Sequence, residues 1–428
     1  MEIVPLFLMV FFMLTGMPIA FSMGCAGVIG LGMVGGFTDI ISILNTTAYR
    51  TAASYILTSV PMYVLMAEVL GSAGIAQDLF QSAYKWFGRI PGGVGVSTVV
   101  VDGVFGAVSG SSTAAAAAMS SVAIPQMLKL GYKPEMASGI VSVAGTVAIM
   151  IPPSIPFIVY GTVTEQSVGK LFMAGILPGL LTVILYSITV MIWSARVGGT
   201  MPSEPYTWRE RFVSLAKVWP TILLIVGLIT CLYTGLATVN ELGAIGAVGS
   251  VIIAVSMGRL DLEKFKHSLK STARSTCMIL TIILGAMILG YYITLTQVTN
   301  TIISNITNSG MSTTMIMAAI VLLYIVLGCM MDQIAILLLT LPFTFPLAVT
   351  NLGFDPIWFG VLITALAEIG LCTPPVGLNA FVTSTVSGVA LEKVFKGSAI
   401  LLLVELLVIL CLFVFPDLAL WIPSRMEW

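Results

Sequence analysis

The chain has 428 residues, of which 58% are hydrophobic and 9% charged, with a formal net charge of −1 at pH 7. A soluble core cannot absorb that much apolar surface, so the composition excludes a water-soluble globular protein and indicates a polytopic membrane protein. Basic residues are few and confined to short segments, which argues against a nucleic-acid partner, and the six cysteines lie singly in apolar stretches with no disulfide framework.

The N-terminal "MEIVPLFLMV" lacks the basic n-region of a cleaved signal peptide. A bilayer span needs about 20 apolar residues. Segments 52–72, 171–195, 219–236, 240–257, 275–297 and 398–420 qualify. Residues 76–90 place Leu79, Phe80, Ala83, Trp86, Phe87 and Ile90 on one helical face, flanked by Lys85 and Arg89. That pattern predicts an amphipathic helix lying along the cytoplasmic surface.

Between Arg89 and Lys129 the chain leaves one side of the membrane and returns to it. Ser109-Gly110-Ser111-Ser112 forms a polar, helix-weakening middle. Each arm is roughly 15 residues, or about 22 Å of helix, against a hydrocarbon core of ~30 Å. The economical expectation is a re-entrant helical hairpin with its tip inside the membrane. The alternative is a small-residue packing face.

"AIMIPPSIPF" follows, with Pro152-Pro153 at its centre. Proline has no N–H, so the carbonyls of Ala148 and Ile149 lose their helical donors. Ile151, ahead of the first proline, is pushed out of helical geometry.

The second half repeats this order. "LTGMPIAFSMGCAGVIG" resembles "YTGLATVNELGAIGAVG", Gly106 falls on Gly328, and Pro152-Pro153 falls on Pro374-Pro375, with an offset of roughly 220 residues throughout. Segment 314–350 becomes a second hairpin with "CMMDQIA" at its tip, and Gly370 and Leu371 lose donors to Pro374 and Pro375.

Loop charges orient the halves. Lys129 and Lys133 follow the first hairpin, whereas the matching "TNLGFDP" carries no Lys or Arg. By the positive-inside rule the first connector is cytoplasmic and the second external, so the halves have opposite topology and the N-terminus lies outside. The expected fold is an all-α polytopic membrane protein: an inverted-topology repeat with two re-entrant helical hairpins and two broken transmembrane helices.

The expected organisation is scaffold helices and an interfacial arm helix over 1–92, hairpin 1 and its broken helix over 93–170, and a linker helix, basic loop and scaffold helices over 171–313. Hairpin 2 and its broken helix follow over 314–397, then a C-terminal helix over 398–428.

Broken helices of inverted repeats build secondary-transporter sites near the midplane. Exposed carbonyls suit a small hard cation, and helix N-termini suit an anion. One sodium site is expected from Ser109, Ser111, Ala148, Ile151 and Pro152, and a second from Met331, Asp332, Gln333, Gly370, Thr373 and Pro374. Ser111, Ser112, Ser154, Asp332 and Asn379 are the expected substrate contacts. Neither hairpin nor break carries Lys or Arg, so bound cations and helix dipoles would neutralise an anionic substrate. Glu68, Asp102, Glu241, Glu368 and Glu405 also lie in apolar segments, and Glu368, beside the second break, is the strongest of these functional candidates.

"GAVSGSSTAAAAAMSSVAIPQMLKLGY", "GTVAIMIPPSIPFIVYG" and "IGLCTPPVGLN" resemble the large membrane subunit (DctM type) of TRAP transporters, unfused form. The resemblance covers essentially the whole chain. It implies elevator-type, sodium-driven import of an organic acid such as a C4-dicarboxylate or sialic acid into a bacterium, across the inner membrane. It also implies two or more sodium ions, no organic cofactor, a small four-helix membrane subunit and a periplasmic substrate-binding protein.

An enzyme fits poorly. "GAVSG" has one residue too many for an intramembrane serine-protease signature, and the single His267 lies in a basic loop, where it could not serve as base. A channel is disfavoured by the two-fold repeat within one chain. A stand-alone sodium/carboxylate symporter differs from the TRAP reading only by the motif resemblance.

Overall fold

A computed structural model describes residues 3–35, 37–197 and 206–426. Helices make up the ordered structure, and no strand occurs among the described residues. Among the described residues, six helices are long and apolar enough to cross a bilayer: Val168–Val197, Trp208–Tyr233, Val239–Ser256, Leu262–Thr296, Gln333–Asn351 and Leu391–Val414. Two bent helix pairs reach the same length and apolarity only when each is taken together, Ile40–Ala52 with Ile56–Ser72 at 53° and Pro134–Met150 with Ile155–Thr164 at 44°. The expected span at 398–420 stops at Val414, because Pro416 cannot continue the helical ladder. The amphipathic helix spans Ile75–Phe87 and ends at Gly88.

The repeat is present element by element. Ile75–Phe87 matches Val298–Asn308, and hairpin 1 (Gly93–Ser109 and Ser112–Lys129) matches hairpin 2 (Thr313–Gly328 and Gln333–Phe345). Pro134–Met150 and Ile155–Thr164 match Pro356–Leu371 and Leu378–Ser387, and Val168–Val197 matches Leu391–Val414. One departure is local. The bent Ile40–Ser72 pair corresponds to the continuous Leu262–Thr296 helix.

Glycine contacts establish the inversion. Gly24 faces Gly285, Gly27 faces Ile288 and Leu289, and Gly30 faces Tyr292, so Ile19–Val34 runs parallel to Leu262–Thr296. Gly243 faces Met62 and Gly246 faces Met66, so Val239–Ser256 runs parallel to Ser59–Ser72. Ser268 meets Ser72 while Ser271 meets Glu68, so Ser59–Ser72 and Leu262–Thr296 are antiparallel. Ile19–Val34 is therefore antiparallel to its repeat mate Val239–Ser256. Each half lends one glycine face to the other, and such faces let backbones approach closely where lipid offers no hydrophobic drive.

The two hairpins are mounted differently. The first arm of hairpin 1 packs on Val168–Val197 through Gly92, Gly95 and Gly103, which face Val190, Ser194 and Val183. At the matching positions hairpin 2 carries Thr314, Met317 and Ile325, which line a cleft of about 620 Å³ against Leu406, Ile409 and Phe413 of Leu391–Val414. Side chains there hold apart two helices that glycines bring together in the first repeat.

Candidate functional site

Each hairpin tip lies on the broken helix of its own repeat. Gly106 abuts the backbone of Ala148, and its counterpart Gly328 abuts that of Gly370. At the first tip Gly110 adopts φ +57°, and a Cβ there would stand 2.9 Å from the Pro153 carbonyl oxygen, so only glycine fits this approach. At the second tip the Cys329 carbonyl accepts the N–H groups of Val376 and Gly377, both at 3.3 Å. The peptide bond inside each diproline is cis.

The first break opens as proline chemistry requires. Ile151 is extended (φ −89°, ψ 120°), and among the described residues no backbone N–H pairs with the carbonyls of Ala148 or Ile149. The end of the first arm, with Ser109, is held beside this break by the Gly106 and Gly110 contacts. The tip hydroxyls are partly engaged. Ser109 Oγ donates to the Ser111 carbonyl at 3.4 Å, and Ser111 Oγ caps the second arm by accepting from Ala114 N–H. Ser154 is fully buried past Pro152-Pro153, and its Oγ has no partner.

The second break departs from the proline arithmetic. The Gly370 carbonyl accepts the Thr373 N–H at 2.9 Å, so it is not the free oxygen expected from a missing helical donor. A tightened i→i+3 turn recovers the bond ahead of Pro374, leaving one lone pair on that oxygen. Thr373 Oγ1 donates to the Ile369 carbonyl at 2.6 Å.

Tip 2 has its own hydrogen bonding. The Met331 N–H is spent on Leu327, and the tip reaches the break through Cys329 instead. Asp332 caps the second arm, with Oδ1 accepting from Ile334 and Ala335 N–H at 3.1 and 3.2 Å. Gln333 Nε2 donates to the Thr364 carbonyl at 3.1 Å, away from the break. Asp332 thus has a structural task whatever its charge does. Asp332→Asn keeps an N-cap acceptor, whereas Asp332→Ala costs about 1 kcal/mol of capping. If the charge itself serves transport, both variants lose uptake while Asp332→Asn matches wild type in thermal stability. Normal uptake by Asp332→Asn would leave the residue a cap alone.

The most developed polar cluster joins the two repeats. Ser112, at the start of the second arm of hairpin 1, donates toward Glu368 Oε1 at 3.3 Å and Asn379 Oδ1 at 3.4 Å. Asn379 Nδ2 lies 3.9 Å from Cys372 Sγ, and Cys372 Sγ donates to the Ser142 carbonyl at 3.3 Å. All five residues are buried, and Glu368 Oε2 has no partner among the described residues. The sequence expectation named Ser112 and Asn379 among five substrate contacts and ranked Glu368 first among the extra acids; Ser142 and Cys372 escaped it. Cys372 sits within the IGLCTPPVGLN motif, where the prolines drew the reading, and Ser142 is one of many small polar residues in membrane helices, so their role emerges only from packing.

A second buried acid lies nearby. Tyr186 donates to Glu405 Oε2 and stands 3.5 Å from Thr146 Oγ1. Asp102 is fully buried in the first arm of hairpin 1, with neither carboxylate oxygen partnered. Glu68 and Glu241 lie elsewhere: Glu68 accepts from Ser271 at 2.6 Å, and Glu241 completes the capping box of Thr238.

The donor set is oxygen-rich: hydroxyls, carboxylates and main-chain carbonyls, with unpartnered oxygens on Glu368 and Ser154. Hard cations take such ligands, so these residues fit a small alkali ion.

Comparisons with known proteins agree with this architecture. The family described as "Tripartite ATP-independent periplasmic transporter, DctM component" matches residues 6–418. The chain is 35% identical over 402 residues to the C4-dicarboxylate TRAP transporter large permease protein DctM of Pseudomonas aeruginosa, covering 92% of this chain and 93% of that protein. It is 30% identical over 418 residues to the sialic acid TRAP transporter large permease protein SiaM of Vibrio cholerae, covering 94% and 97%. The solved structure of the YdaH transporter of Alcanivorax borkumensis shares the fold, with a TM-score of 0.58 at 12% identity over 90% of each chain. With its family match spanning nearly its whole length, this chain is a multi-pass membrane transporter component, not an enzyme, and belongs to the DctM family of TRAP transporter large permeases.

Proposed function

We propose that the chain imports an organic acid anion by sodium-coupled secondary transport. The anion is a C4-dicarboxylate, a sialic acid or a similar carboxylate, delivered by a periplasmic binding protein. The observation that carries this reading is the cross-repeat cluster of Ser112, Glu368 and Asn379 beside the second diproline break. It offers an oxygen-lined site of net negative character with no Lys or Arg at the hairpin tips or breaks. An acid cannot enter such a site unless a cation arrives first, because an uncompensated buried charge is expensive. Sodium binding therefore precedes substrate binding, and the anion then meets neutralised carboxylates and the helix N-termini at Ile155 and Leu378.

The hairpins and broken helices form the moving body in this reading. Scaffold helices around the Gly24–Gly285 and Gly243–Met62 contacts stay fixed. The tripartite description of the family supports two partners, a small four-helix membrane subunit and a periplasmic substrate-binding protein. The site lies in a bacterial inner membrane with the N-terminus outside.

Reconstitution tests the proposal. Proteoliposomes holding the chain with its small subunit should take up labelled carboxylate only when a candidate binding protein and an inward sodium gradient are both supplied. Uptake that persists without any binding protein would favour a stand-alone symporter. Uptake that ignores the sodium gradient would overturn the coupling.

A further inference from the structure

Cations on the basic side of the molecule differ in how they are paired. Arg259 pairs with Asp78, Lys264 with Asp261, Lys266 with Glu263 and Lys393 with Glu135. In contrast, Lys85, Arg89, Arg209, Arg211 and Lys217 have no carboxylate within ion-pair distance among the described residues. Two acids close to them in the chain are already engaged: Glu210 closes the capping box of Thr207, and Asp78 holds Arg259.

Two of these cations, Lys85 and Arg211, lean on aromatic rings. Lys85 Nζ stands 5.7 Å from the Tyr206 ring centroid, and the Arg211 guanidinium lies 5.0 Å from Trp208 and 5.9 Å from Trp86. Trp86 packs edge-on to Trp208 and Phe212 at 6.2 and 5.7 Å. Ser82 Oγ meets Ser214 Oγ at 3.2 Å, which fixes Ile75–Phe87 against the first turns of Trp208–Tyr233. Cation–π contacts orient the guanidinium without neutralising it. Just along the same helix, Trp208, Phe212 and Trp219 are 66%, 60% and 56% exposed. Among the described residues the surface thus presents positive charge without a paired carboxylate beside large amphipathic rings, the chemistry found at the headgroup level of a bilayer.

We infer that this face binds anionic phospholipid. Phosphate oxygens would meet Lys85 and Arg211, and acyl chains would lie on Trp208, Phe212 and Trp219. Arg211 matters most, because its planar fork can take a phosphate bidentately while its face stays stacked. The consequence reaches the hairpin: Ile75–Phe87 packs on both arms of hairpin 1, so a bound lipid anchors the helix from which that hairpin springs.

The test is lipid retention on the full chain, purified with any small subunit that accompanies it. Nanodiscs of phosphatidylcholine with titrated phosphatidylglycerol are followed by native mass spectrometry. Wild type should retain phosphatidylglycerol in preference to phosphatidylcholine, and raised salt should release it. Lys85→Gln with Arg211→Gln should weaken retention roughly thirty-fold, at about 1 kcal/mol per cation. Lys264→Gln with Lys266→Gln, on the carboxylate-paired side, should leave retention unchanged. Inorganic phosphate should not displace the lipid. Equal retention of both lipids by wild type overturns the inference, as does displacement by phosphate, which would mark a free-anion site. Loss of retention whenever the small subunit is present would assign the face to that subunit instead. Should the double variant misfold, the salt dependence of wild-type retention decides the matter alone.

Discussion

Glu368→Gln should reduce sodium-driven uptake by on the order of 100-fold. The substitution keeps the volume of the side chain and an oxygen able to accept from Ser112, so the 3.3 Å contact can persist. What it removes is the negative charge facing an otherwise neutral set of hydroxyl, amide and thiol groups. A cation held there would lose its only formal counter-charge in the cluster. Uptake measured against sodium concentration should show a raised sodium requirement along with the lower rate. Ser112→Ala should be milder, because it deletes one neutral donor and leaves the carboxylate. An unchanged sodium response in Glu368→Gln would remove this acid from coupling and return attention to the first break, where Ala148 and Ile149 present open carbonyls.

A second large effect is expected at the glycines that seat the hairpins. A Cβ on Gly106 would stand 2.1 Å from Ala148 Cα, and one on Gly370 would stand 2.3 Å from Gly328 Cα. Both obstacles are backbone atoms, which cannot rotate aside. Gly106→Ala or Gly370→Ala must therefore push a hairpin off its broken helix, at a cost of about 1–3 kcal/mol or more. Membrane yield and thermal stability in detergent should fall together. Gly71→Ala is the matched control, since nothing lies within 4 Å of its Cβ position and alanine is the better helix former by about 1 kcal/mol. Equal stability of Gly106→Ala and Gly71→Ala would refute the close approach.

The difference between hairpins adds a structural point. Hairpin 1 is pinned by Gly92, Gly95 and Gly103 against Val168–Val197. Hairpin 2 stands off its matching helix across the cleft lined by Met317, Ile325 and Leu406. A repeat detected by glycine and proline matches is symmetric in its helix order, yet its side chains have diverged where the two copies do different jobs.

Much of the architecture was legible in the residues alone, because the rules involved act over a few positions. Hydropathy set the long spans, loop charges set the inversion, and the diprolines marked both breaks, since a missing N–H interrupts a helix wherever it occurs. Ser109–Ser112 marked the first tip by its helix-weakening run. Tertiary structure alone decided what each polar group does. Asp332 became a helix cap because its backbone turn presents two free N–H groups. Gly370 recovered a donor from Thr373 because the chain tightened before the proline. Ser112, Ser142, Glu368, Cys372 and Asn379 became one cluster because an inverted half folds its break onto the other half's hairpin. No local pattern encodes that meeting, as the partners lie far apart in the chain and only packing brings them within hydrogen-bond reach.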